Sequence, residues 1–65
     1  MNFMKKYVEM GTCYSKDNLR VQTICRATNP KDKTSHIIYT KVLDGGYASD
    51  AYFMPEEEFK KIFCP

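Results

Sequence analysis

The stretch LRVQTICRA, residues 19–27, decides the fold. Taken two residues at a time, it sets Leu19, Val21, Thr23, Cys25 and Ala27 on one side and Arg20, Gln22, Ile24 and Arg26 on the other. That is the period of an extended strand with one buried face. On this reading the first set points inward, both arginines point outward with Gln22, and Ile24 is the single apolar residue of the outer face. A slip of one residue would exchange the two faces.

Working outward, ATNPKDKTS (27–35) places Asn-Pro and Lys-Asp-Lys between apolar stretches and reads as a polar loop. SHIIYTKVL (35–43) is rich in β-branched and aromatic residues and reads as the central strand. LDGGY (43–47) supplies the Asp-Gly-Gly chemistry of a tight hairpin turn, and YASDAYFM (47–54) follows as a weaker strand. On the other side, GTCYSKDN (11–18) reads as a short first strand ending in a Lys-Asp-Asn turn. Connections this short demand antiparallel neighbours.

Only the tail YFMPEEEFKKIFCP (52–65) has helical chemistry. Pro55 suits the first helical position, Glu56, Glu57 and Glu58 complement the positive end of the helix dipole, and Lys60 and Lys61 complement the negative end. Phe59, Ile62 and Phe63 recur at spacings that share one face and predict a plug over the sheet, with Cys64 and Pro65 as the stop. The expected fold is mostly β: a small antiparallel SH3-like barrel, or a curled meander of four to five strands, with a short C-terminal helix.

A chain of 65 residues is a single domain, residues 1–65 with a core from about 6 to 63. It buries only about 60% of its unfolded surface, so its stability is slender and oligomerisation would add to it. Composition is globular, with 43% hydrophobic and 28% charged residues. The net charge of +2 comes from ten basic and eight acidic residues interspersed, which disfavours nucleic acid bound by a basic stripe. No stretch has the apolar run of a signal peptide or a membrane span, and Cys13, Cys25 and Cys64 are odd in number and widely spaced. The expectation is a cytoplasmic protein, free of membrane, with reduced thiols.

Several positions resemble domain-of-unknown-function family 1653, a family of short bacterial and phage proteins. Gly11 and Tyr14 are similar to its Gly-x-Tyr opening, Val21 sits where its second strand has an apolar residue, and Ala27 precedes the loop in a similar way. Ile37, Ile38 and Tyr39 resemble its Val-Val-Tyr strand, and Pro55 with Phe59 resembles its Pro-x-x-x-Phe ending. The similarity runs over about residues 10–63, with Ser15 and Met54 where the family carries histidine and arginine. It implies a fold more than an activity, and its occurrence in phages and mobile elements implies a host-interaction or anti-defence role.

For catalysis the inventory is thin: one histidine, His36, no Gly-rich phosphate loop and no recognisable nucleophile motif, so the chain reads as no enzyme and calls for no cofactor. The cysteines lack the close Cys-x-x-Cys spacing of a structural zinc site, and three consecutive glutamates on a helix point about 100° apart and do not converge on a metal. The chemistry left is on the sheet. Arg20, Arg26, His36 and Lys41 would form a cationic strip able to hold phosphate, and Tyr47 and Tyr52, expected near the hairpin and exposed, would stack on a ring. Tyr14 and Tyr39 are the expected core tyrosines.

These residues point to a binding module that captures a nucleotide-like ligand in a pocket built by a homo-oligomer. The rival expectation is a protein-interaction module, such as an inhibitor of a host defence enzyme, that engages its partner by the helix or a strand edge. A third is a small RNA-binding barrel.

Overall fold

In the computed structural model, strands appear where β-branched and aromatic residues concentrate. β1 (Cys13–Lys16), β2 (Leu19–Thr28), β3 (Ser35–Leu43) and β4 (Gly46–Pro55) are followed by the helix α1 (Glu56–Phe63). The structure describes residues 8–64, and over 47–49 their place in β4 without their side chains. The strands form one antiparallel sheet in the order β1-β2-β3-β4. Of the two arrangements expected, the meander is the one found. Among the described residues β1 and β4 are the two edges of the sheet and do not pair with each other, so these strands do not close into an SH3-like barrel.

The connections follow from local chemistry. Asp17 takes a positive φ of 55° in the β1–β2 turn, a conformation aspartate tolerates better than most residues. Asp44 and Gly45 make the β3–β4 turn, and Gly46 at φ 129° occupies backbone space that a side chain would strain. In the loop between β2 and β3, the Asn29 side chain accepts from the Lys31 amide, and the Asp32 carboxylate accepts from the Thr34 amide and hydroxyl. These side chains satisfy backbone groups that would otherwise need a strand partner.

α1 crosses one face of the sheet and makes the core. Val8, Val21, Ile37, Phe59 and Phe63 are buried together, with Tyr14, Tyr39, Met54 and Ile62 packed around them. Phe59 is the centre: its ring meets those of Tyr14 at 5.5 Å, Tyr39 at 5.7 Å and Phe63 at 4.6 Å. Burying a side chain of this kind contributes about 1.5–3 kcal/mol. Pro55 stands one place earlier than expected, as the N-cap rather than the first helical residue, and Cys64 closes the other end by donating its amide to the Lys60 carbonyl.

Thr23 is buried among these apolar groups and joins the segment before β1 to the sheet. Its hydroxyl donates to the Glu9 carbonyl at 2.6 Å and accepts from the Thr12 amide at 3.2 Å, while its own amide donates to the Thr12 carbonyl at 3.0 Å. The Gly11 amide donates back to the Thr23 carbonyl. A polar side chain is tolerated here because every one of these groups has a partner.

β2 departs from strict alternation. Thr23 stands opposite Tyr39 but Cys25 stands opposite Ile38, so Ile24 is an extra residue, a β-bulge. Past it the faces exchange: Arg26 lies opposite the buried Ile37, on the helix side, whereas Cys25 and Ala27 are exposed on the other side. The expected inward set therefore ends at Thr23, and Arg26 does not share the outward face of Arg20 and Gln22. A second irregularity, between Thr40 and Val42, marks the passage of β3 past β4 at Lys41.

Candidate functional site

The bulge at Ile24 divides the expected cationic strip. Arg26, turned to the helix side, grips Glu56 at the start of α1: Nε donates to Oε1 at 3.0 Å and Nη2 to Oε2 at 2.8 Å. Nη2 also donates to the Val8 carbonyl at 2.9 Å. The hydrogen bond from Arg26 holds the Glu56 carboxyl below its ordinary pKa, and the same bond holds Arg26 above its own. This guanidinium is committed to the fold.

Lys41 stands opposite Val21, and its ammonium lies 5.2 Å from the centre of the Tyr52 ring, a cation–π contact. Tyr52 in turn lies 5.8 Å from Tyr39, whose hydroxyl is pushed up in pKa by burial. Arg20 is exposed opposite Ser15, in a polar depression with Val42 and Asp44. His36 lies opposite Ala27, seven residues further along β2, which is roughly 23 Å at strand rise. The side chain of Tyr47 lies outside the described residues, and its backbone pairs with Val42. Arg20, Arg26, His36, Lys41 and Tyr52 thus fall on two faces and at two ends of the sheet, and do not converge on one ligand.

What the structure does gather is an apolar surface on the face away from α1. In antiparallel pairs, residues directly opposite share a face, so Ile38 with Phe53 and Cys25, Thr40 with Ala51, and His36 with Ala27 all project there. Ile24 joins them at the bulge, lining one depression with Gln22 and Thr40. Phe53 is 70% exposed and Ile24 50%. None of Gln22, Ile24, Cys25, Ala27, His36, Ile38, Thr40, Ala51 and Phe53 is an acidic residue, a lysine or an arginine.

At the loop end of this surface lies a groove of about 340 Å³ lined by Ala27, Thr28, Asn29, Pro30, His36, Ile38 and Phe53. The small side chain of Ala27 leaves the space, and the Phe53 ring, 6.0 Å from that of His36, rises beside it. Alternation alone hides this surface, yet a signal for it exists. Ile37-Ile38 and Tyr52-Phe53 are adjacent large residues within strands, which puts apolar side chains on both faces.

Fold and surface define the class: a single-sheet antiparallel meander capped by a helix on one face and apolar on the other. No family model, curated protein or solved structure matches the chain. Among the described residues no group of three or more His, Cys, Asp or Glu side chains is placed to hold a metal ion, and no helix is long and apolar enough to cross a membrane. Cys13, Cys25 and Cys64 are unbridged.

Proposed function

We propose that this chain is a non-catalytic protein-interaction module that docks its partner on the sheet face opposite α1. The observation that carries this reading is Phe53, a large apolar side chain 70% exposed on an edge strand, at the head of a patch of uncharged side chains that runs along this face toward Arg20. A half-solvated antiparallel sheet ordinarily turns polar side chains outward. Leaving Ile24 and Phe53 toward water forgoes part of the roughly 1.5–3 kcal/mol that full burial of such a side chain contributes, which a partner recovers. Aromatic anchors beside small grooves are the usual energetic centres of protein interfaces.

The nucleotide reading has less behind it, because Arg26 is spent on Glu56 and Lys41 faces Tyr52 on the other side of the sheet from His36. Inhibition of a host enzyme is one form such a docking module takes, in line with the phage-protein resemblance. Three unbridged thiols fit a reducing cytoplasm.

The test is site-resolved photo-crosslinking in the expressing cell, with a benzophenone amino acid at position 53 and, as control, at position 43. Leu43 is 55% exposed but alternates onto the opposite side of β3 from Ile38. Protein adducts from position 53 in excess over position 43 are expected. Equal or absent adducts at the two positions would reject the docking face.

A further inference from the structure

Resting on the docking-face reading, we infer that the partner enters as an extended segment of another protein, which adds a strand to the open side of β4 by pairing with the backbone of Ala51 and Phe53.

The hydrogen-bond ladder fixes which backbone groups are open. Thr23 donates its amide to the Thr12 carbonyl and accepts from the Gly11 amide with its own carbonyl, so both of its backbone groups turn away from β3. Tyr39, directly opposite Thr23, therefore turns its N–H and C=O to the other side, toward Tyr52 of β4. These directions alternate along a strand. Ala51 and Phe53, on either side of Tyr52, accordingly point their N–H and C=O groups away from β3, where no strand pairs with β4 among the described residues. Pro55 agrees with this phase. Two places beyond Phe53, it falls at the next outward position, where a missing N–H costs no ladder bond.

The two edges of the sheet are not alike. β1 has only four residues and ends in Lys16, with Asp17 in the turn after it, a short charged edge of the kind that resists further pairing. β4 has ten residues, and between Asp50 and Glu56 it carries no charged side chain. Such an edge is a template for another strand.

The chemistry of the edge selects its occupant. It offers main-chain donors and acceptors, which an extended backbone matches and a helix, whose own groups are paired internally, does not. A residue of the added strand directly opposite Phe53 lies on the face away from α1, against a ring that is 70% exposed. The neighbours of that ring on this face, Ala51 and Ile38, are neutral, so a charged side chain set there would lose water without gaining a partner. The segment that fits carries a large apolar side chain opposite Phe53.

The experiment selects random twelve-residue peptides, displayed on phage, against the full chain. Enriched peptides are expected to share an uncharged apolar stretch, and to slow amide exchange at Ala51 and Phe53 while the Tyr52 amide, already paired with β3, changes little. Methylating alternate backbone nitrogens of the best peptide should weaken it at least about fivefold, the scale of one lost hydrogen bond. Ala51→Pro removes one outward N–H and repeats the phase of Pro55, so it should weaken the peptide similarly and remain folded by circular dichroism. The methylated peptide tests the same contact on the unaltered protein.

No enriched peptide, or peptides that bind without slowing exchange at Ala51 and Phe53, overturn strand addition. Protein adducts from position 53 that persist undiminished in Ala51→Pro also overturn it and leave the docking face standing, whereas absent adducts in the wild type reject the face itself. Self-association in sedimentation that Ala51→Pro abolishes would make the occupant a second copy, and overturns the inference as well.

Discussion

Arg26 and Glu56 are thirty residues apart in sequence, and their side chains meet in a two-point clasp of 3.0 and 2.8 Å that fastens the start of α1 to β2. The clasp exists because Ile24 is bulged. Without that extra residue Arg26 would point to the opposite face, and Glu56 would lose both hydrogen bonds from it. One guanidinium thereby joins three pieces of chain, since it also holds the Val8 carbonyl.

Replacing Arg26 by alanine should therefore lower stability by about 1 kcal/mol, the scale of a charge-assisted pair that water partly screens. The Arg26 side chain is 38% exposed and that of Glu56 15%, which places the pair between surface and interior. In a domain of this size 1 kcal/mol lowers Tm by about 4–8 °C. Arg26→Lys should recover little, because an ammonium does not reproduce the planar two-point contact. Thermal melts of the two variants decide this, and an Arg26→Ala protein melting with wild type would show that the clasp contributes nothing.

The same pair sets an acid limb. Glu56 has its folded pKa depressed, chiefly by the hydrogen bond from Arg26, relative to about 4.3 for a free glutamate. A group lowered in the folded state contributes stability that is complete above the unfolded value and disappears as pH falls through the folded one. Glu56→Gln should thus melt below wild type at neutral pH, with the gap closing as pH drops below about 4. Asp32, lowered by the Thr34 hydroxyl, titrates in the same direction and leaves a smaller acid dependence in the variant. A gap independent of pH would separate Glu56 from the acid limb.

Thr23→Val preserves shape but removes the hydroxyl that serves the Glu9 carbonyl and the Thr12 amide. Each buried group left without a partner costs about 1–3 kcal/mol, so urea unfolding should show a loss in that range. Thr23→Ser keeps the hydroxyl and should lose less. Amide exchange should quicken first at Thr12, whose N–H loses its acceptor.

Phe59→Ala removes the ring on which Tyr14, Tyr39 and Phe63 converge. Truncating a buried phenylalanine costs about 3–5 kcal/mol, against a total stability of roughly 3–10 kcal/mol for a chain this short. The variant should be largely unfolded by circular dichroism, while Phe59→Leu should retain the sheet. A folded alanine variant would mean that α1 is dispensable to the core.

Strand limits were legible because they are written in local chemistry. Turn-forming Asp17-Asn18 and Asp44-Gly45 bound runs of β-branched and aromatic residues, and β3 occupies the 35–43 stretch expected for it. The helix was legible from the three-and-four spacing of Phe59, Ile62 and Phe63 and from charges ordered along its dipole. The candidate site was far less legible. Arg20 and Arg26 look equivalent in a period of two, and nothing local at Ile24 announces a bulge whose stabilising partners, Val8 and Glu56, lie far away along the chain.

By itself, then, the order of residues determined four to five short strands, their antiparallel succession and a helix with one apolar face, since turn geometry, side-chain alternation and helix-end electrostatics act over a few residues. Which side of β2 each residue faces past Thr23, whether the sheet closes, and that Ile24, Ile38 and Phe53 lie together on the face α1 leaves open were decided only in three dimensions. Those outcomes depend on contacts between residues up to thirty places apart, and on α1 lying across one side of the sheet.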